Sequence, residues 1–170
     1  MTTITITLSL VATIFILIKL CIIDLKIRLL PNVYVAAFFV CGLIFHTATN
    51  STFTTPMNAS FGIIGGGGML LAIRQIANYF YQRDTLGLGD VKLLGAAGLW
   101  LGASDIFLAI SLGAFAGLIH GAVYKLYMQR KTGEPLPLST LSIPAGPGFI
   151  IGIVIEGIIK FQSLSIFLTS

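Results

Sequence analysis

Only six carboxylates occur in the 170 residues, so each can be weighed on its own. Two stand in unusual company: Asp24 in "IIDLKIRLLPN" and Asp90 in "TLGLGDVKLLGAAGLWLG", 66 positions apart. Two carboxylates brought to about 4 Å repel by about 4 kcal/mol at an effective dielectric of about 20. Such a pair shares one proton near neutral pH. The ionised member can then deprotonate a water while the protonated member donates to a scissile carbonyl. That chemistry is peptide hydrolysis, and it requires neither a covalent intermediate nor a metal. The chain has no HExxH and no GxSxG, which would have pointed to a zinc or serine hydrolase. Its two cysteines, Cys21 and Cys41, are 20 positions apart with no CxxC; they read as small core residues rather than a disulfide or a zinc site. No cofactor is expected.

The neighbours of each aspartate suit a substrate site. Gly87 and Gly89 flank one leucine just before Asp90, and glycines there permit a tight turn and the close approach of an extended substrate strand. In a chain with 19 glycines a lone GxGD says little; its weight comes from its position. Pro31 and Asn32, seven and eight residues after Asp24, add a rigid turn and a side-chain amide. Lys92 follows Asp90 by two, where it can bias the local charge or meet phospholipid. The plain alternative is two interfacial carboxylates paired with Lys26, Arg28 or Lys92.

The elements that must position these residues follow from composition. The chain is 56% hydrophobic and 9% charged, with a mean hydropathy of +0.98, whereas soluble domains carry about 25% charged residues. At about 20 residues per span, six spans use about 120 residues. That leaves no room for a separate soluble catalytic or nucleic-acid-binding domain, so nucleic acid is not an expected partner and residues 1–170 are expected to form one membrane-embedded domain. The predicted architecture is an all-α polytopic membrane protein of about six transmembrane helices. Candidate spans fall at 4–23, 33–50, 58–77, 91–103, 104–124 and 143–162, with the boundary between the fourth and fifth near "LGAS". The apolar runs are continuous, not alternating with period two, which argues against a β-barrel. Pro31, Pro56, Pro135 and Pro137 sit in or beside the breaks, where a missing amide donor does least harm.

Sidedness comes from the basic residues. Lys19, Lys26 and Arg28 flank the first break, Arg74, Arg83 and Lys92 the third, and Lys125, Arg130 and Lys131 the fifth; only Lys160 lies near the opposite side. The positive-inside rule then places breaks one, three and five in the cytoplasm and both termini outside. The first segment has no basic residue before Lys19 and reads as a retained span rather than a signal peptide. With this topology Asp24 and Asp90 share one depth, at the cytoplasmic edge of the hydrocarbon, where a lone aspartate is a costly structural choice.

Three blocks, "IIDLKIRLLPN", "GLGDVKLLGAAGLWLG" and "IPAGPGFIIG", resemble in order the recurring blocks of the type IV prepilin peptidases, which are membrane aspartic proteases. The resemblance implies that Asp24 and Asp90 are a catalytic dyad, with Gly87, Gly89, Pro31, Asn32 and Lys92 supporting it or the substrate. It implies cleavage of a type IV prepilin or pseudopilin at the cytoplasmic face of a bacterial or archaeal membrane, just before the substrate's hydrophobic stretch. "IPAGP" only approximates the family's Pro-Phe-Gly-Pro-like segment, and "LPN" replaces the commoner "IPN". Bifunctional members also carry a cysteine-rich cytoplasmic segment associated with N-methylation. Here the first break, "DLKIRLLPN", is nine residues long, which implies a short, peptidase-only form. Intramembrane proteases that cut within a span share GxGD, but Ile23 rather than tyrosine precedes Asp24.

Other features have structural readings. Gly113, Gly117 and Gly121, Gly98 with Gly102, and Gly148 with Gly152 repeat a spacing of four, suited to close helix packing in lipid. The run Gly65 to Gly68 softens the third span. Glu156 is expected to pair with Lys160 one turn later. His120 reads as a packed or interfacial histidine, His46 as an outer interfacial one, Asp105 as a helix-start residue with Ser104 as its N-cap, and Asp84 and Glu134 as solvated loop acids. Two other function classes compete with the peptidase: a small transporter or proton-relay protein using the same carboxylates, and a scaffold packed through its glycines.

Overall fold

The computed structural model describes residues 2–82, 84, 86–132, 145–162 and 164. Arg83, Glu134, Pro135, Pro137 and the Ile143–Pro144 start of the third block therefore lie outside the described residues, among which every regular element is helical.

Helix α1 spans Thr2–Ile27, about 39 Å at 1.5 Å per residue. It stops where Arg28 turns left-handed, with φ 54°, and returns its amide to the Asp24 carbonyl at 2.9 Å. Pro31, with φ −63° and ψ 131°, then launches α2 (Asn32–Ala48) by offering its carbonyl to the amides of Tyr34 and Val35. Thr55 caps α3 (Pro56–Ile63) through its hydroxyl, which accepts from the Asn58 amide. Residues Ile64–Gly68 follow as a π-helical turn before α4 (Met69–Tyr81), so the glycine run loosens the helix where expected.

Helix α5 (Leu88–Thr132) consists of two helical limbs that meet at Gly102, whose φ of 79° and ψ of −177° only glycine adopts readily. Leu94 and Ile106 would be about 18 Å apart on a straight helix, yet both lie against Gly66. The two limbs thus run antiparallel, and Asn58 Oδ1 caps the second by accepting the Ala103 amide at 3.0 Å. The boundary expected near "LGAS" is this glycine. Helix α6 (Gly146–Lys160) packs antiparallel on the second limb, with Gly148 against Gly113 and Gly117 and Gly152 against Ala109. The glycine repeats serve packing within the bundle.

Thr3–Ile27, Pro56–Tyr81 and Leu88–Lys131 are long and apolar enough to cross a membrane, and Asn32–Ala48 is a shorter apolar helix. The bundle keeps Phe38, Phe45, Leu93, Leu94 and Trp100 inside while exposing Ile4, Leu8, Phe15, Phe115 and Leu118. An exterior this apolar suits lipid, not water. Trp100 stacks on Phe38 and donates its indole N–H to the Phe38 carbonyl at 3.1 Å.

Three side chains depart from expectation. His46 is buried, not interfacial, because its Nε2 sits 2.8 Å from the Leu99 carbonyl and its ring lies beside Phe45 and Trp100. Lys160 pairs with Asp105 at 2.7 Å rather than with Glu156, since α6 packs against the second limb of α5 and brings Asp105 to it. Ser104 donates to the Asp105 carboxylate at 2.6 Å instead of capping a helix.

Candidate active site

Asp24 lies one turn before the end of α1, and Asp90 lies in the first turn of α5. Both are buried, at 5% and 8% exposure. The two carboxylates are close enough for the charge of Asp24 to act on Asp90. The fold thus joins residues that the sequence holds 66 positions apart.

Each carboxylate has a distinct setting. Asp24 Oδ2 accepts the Gly146 amide at 3.1 Å, a bond reaching across 122 positions of sequence. Gly146 is the first residue of α6, which has no side-chain cap of its own and has Pro147 next. A carboxylate from another helix therefore caps it, satisfying an orphan amide at the positive end of the helix dipole. The approach is so close that a Cβ on Gly146 would lie 2.6 Å from Asp24 Oδ2. Asp90 is held by a turn: the Gly87 carbonyl accepts the amides of Asp90 and Val91, and a Cβ on Gly87 would lie 3.0 Å from Asp90 Oδ2. The other oxygen, Oδ1, is buried without a hydrogen-bond partner. A buried acceptor that no protein group bonds is costly.

The ion pairs among the described residues are Arg74–Asp84 and Lys160–Asp105. Neither Asp24 nor Asp90 belongs to one, so Lys26, Arg28 and Lys92 form no ion pair with them, although Arg28 is near enough for its charge to act on Asp24. Instead Lys92 Nζ donates to Asn32 Oδ1 at 2.9 Å. That contact ties the start of α2 to the first turn of α5, and Pro31 fixes the turn from which Asn32 departs. Gly89 serves the same junction, because a Cβ there would meet Leu30 Cβ at 2.8 Å. The five supporting residues picked from the sequence therefore divide: Gly87 touches a carboxylate, while Pro31, Asn32, Gly89 and Lys92 join the segments that carry the two.

Two contributors were not anticipated. Arg74 bonds the Leu86 carbonyl through Nε at 2.9 Å and Asp84 through Nη2 at 2.7 Å, while Asn78 also donates to Asp84. Asp84, its side chain 80% exposed, is the solvated loop acid expected and also clasps the loop leading to Gly87. An arginine inside the run "LLAIRQIANYF" was the available signal. The Gly146 amide had none beyond its place in the third block.

The family model described as the type IV leader peptidase family matches residues 11–122, which hold both aspartates. The chain belongs to that family. Among curated relatives it is similar to the "Prepilin leader peptidase/N-methyltransferase" of Pectobacterium carotovorum subsp. carotovorum, 29% identical over 142 residues, covering 83% of this chain and 49% of the relative. Proteins of the same name from Dickeya chrysanthemi (30% identity, 82% of this chain, 49% of the relative) and Legionella pneumophila (31%, 79% and 44%) are also similar. The chain spans about half the length of the curated relatives it matches. No solved structure matches it. Within this leader peptidase family member, then, the buried pair lies inside the region that defines the family.

Proposed function

We propose that the chain is a membrane aspartic endopeptidase that removes the leader of type IV prepilins or pseudopilins, with Asp24 and Asp90 as its catalytic pair. The observation that carries this reading is the pair itself: two buried carboxylates within electrostatic reach, neither in an ion pair among the described residues, one with a buried oxygen that no protein group bonds. Asp90 Oδ1 is the acceptor that would hold the attacking water. One carboxylate takes a proton as the water oxygen bonds to the peptide carbon, and the other gives its proton to the carbonyl oxygen. Collapse of the tetrahedral intermediate breaks the C–N bond, the amine departs with a proton, and the pair returns to its starting state. The chain's own groups complete this cycle without a cofactor.

The family supports the substrate class, because its members are leader peptidases. The finer topology belongs to the same proposal. Six apolar limbs, α1, α2, α3–α4, the two of α5 and α6, make six crossings, with the aspartates at the cytoplasmic face of the bacterial or archaeal membrane and both termini outside. The α1–α2 connection, Arg28 to Pro31, is short and holds no cysteine, which supports peptidase activity without N-methylation.

The test is co-expression with candidate prepilins, followed by mass spectrometry of the product. A cut just before the hydrophobic stretch, with an unmethylated new N-terminus, is expected. Asp24→Asn and Asp90→Asn should each abolish the cut while membrane insertion persists. Full activity in either variant overturns the assignment.

A further inference from the structure

A groove of about 710 Å³ runs between α1 and α6. Leu10, Thr13, Leu17 and Cys21 form one wall at steps of three and four residues, with Trp100 beneath and Gly157 opposite. Leu10 to Cys21 covers about 16 Å, three turns of helix, and Asp24 follows Cys21 by three residues, one turn further on the same helix. The groove therefore leads to a carboxylate of the pair.

One buried polar side chain in its wall lacks a partner. Thr13 is 8% exposed, and its Oγ1 makes no hydrogen bond. A helical threonine ordinarily bonds a carbonyl one turn back, as Thr7 does with the Thr3 carbonyl on the same helix. Thr13 leaves its hydroxyl for something in the groove.

We propose that this groove seats the apolar helix of the protein substrate, immediately beyond the bond to be cut; the inference rests on the peptidase reading. A chain leaving Asp24 into hydrocarbon must satisfy its backbone internally, so it continues as a helix. The apolar walls suit such a helix, and the Thr13 hydroxyl suits a polar atom on its surface. A second groove of about 830 Å³ along Gly113, Gly117 and Leu118 is the competing seat. None of the unpartnered buried polar atoms among the described residues lies in it.

Gly157 and Gly117 permit a clean test, because a Cβ at either meets nothing within 4 Å. Gly157→Leu should fill the first groove and slow cleavage of the full-length prepilin about tenfold, equivalent to about 1.4 kcal/mol of binding. Cleavage of a short peptide spanning the same cut but lacking the apolar helix should not change. Gly117→Leu should leave both substrates unaffected. Equal loss on both substrates, or no loss, with Gly157→Leu overturns the proposal.

A second measurement does not depend on turnover. Benzoylphenylalanine at Ile14, an exposed lining residue of the first groove, or at Leu118 in the second, is photolysed with prepilin in the Asp24→Asn protein. Adducts to the substrate's apolar stretch from Ile14 alone are expected. Adducts from Leu118 instead, or to phospholipid only, overturn the proposal. If the wild type cuts nothing, the peptidase reading fails, whereas the crosslinking result still decides whether the groove holds a helix.

Discussion

The two ends of α6 treat acids in opposite ways. At its start, Asp24 accepts the Gly146 amide and acts by its charge on Asp90, and among the described residues neither carboxylate is bonded to a cation. At its end, Lys160 answers Asp105 in a 2.7 Å ion pair, and Ser104 supplies a further hydrogen bond. A low-dielectric interior penalises unpaired charge heavily, so the Lys160 end shows what stability alone selects. Among the described residues the aspartate end gives its carboxylates no ion-pair partner, a cost that fits the proposed exchange of protons. Helix α6 links the two settings, since its first amide holds Asp24 and its last turn carries Lys160.

Removing either aspartate should have the largest effect. Asp24→Asn or Asp90→Asn is expected to lower prepilin cleavage by at least about 10³-fold, because in the proposed mechanism each deletes a group that moves a proton. Cleavage per mole of inserted protein checks this. Next in size is Gly146→Ala, which keeps the amide but places a Cβ 2.6 Å from Asp24 Oδ2. Backbone carries the added atom, so the carboxylate must yield. A displacement on the order of 1 Å can cost about 10²-fold in rate. Gly87→Ala, with 3.0 Å to Asp90 Oδ2, should cost less than Gly146→Ala in the same assay. The reverse order would mean that the Gly146 contact is not what positions Asp24.

The opposite end should respond in stability instead. Lys160→Met strands the partly buried Asp105, and a loss of about 2 kcal/mol is expected, read as a lower unfolding temperature in detergent. Cleavage per folded molecule should remain unchanged. Asp105→Asn in the same chain should recover part of the loss, since it removes the uncompensated charge. A rate defect that survives correction for folded protein would break the separation between the two ends.

How far the sequence revealed these ends depended on the range of each contact. Scarcity of charge made Asp24 and Asp90 visible, and the length of the apolar run from 91 to 124 required a boundary, placed near "LGAS" and found at Gly102. Lys160 was harder. The four-residue spacing to Glu156 shows that the two can reach each other, but not which acid a neighbouring helix presents, and the second limb of α5 presents Asp105. The Gly146 amide was invisible for a related reason: an amide carries no side-chain signature, and its partner is 122 positions away. His46 was misplaced because a histidine near the end of an apolar run looks the same whether it meets lipid headgroups or the Leu99 carbonyl.

The smallest expected effect concerns the link that joins the two aspartate-bearing segments. Lys92 and Asn32 are both exposed, so their 2.9 Å hydrogen bond competes with water. It should contribute no more than about 0.5 kcal/mol to stability. Its value lies in register, since Lys92 is two residues from Asp90 and Asn32 follows the Pro31 turn that ends the segment begun by Asp24. Asn32→Ala and Lys92→Ala should each slow cleavage about threefold, less than 1 kcal/mol in the barrier. If the bond itself is responsible, the double variant should be no slower than either single one, because the second substitution has nothing left to remove. Additive losses would show that Lys92 and Asn32 act independently, and that their mutual bond does not hold the two aspartate-bearing segments in register.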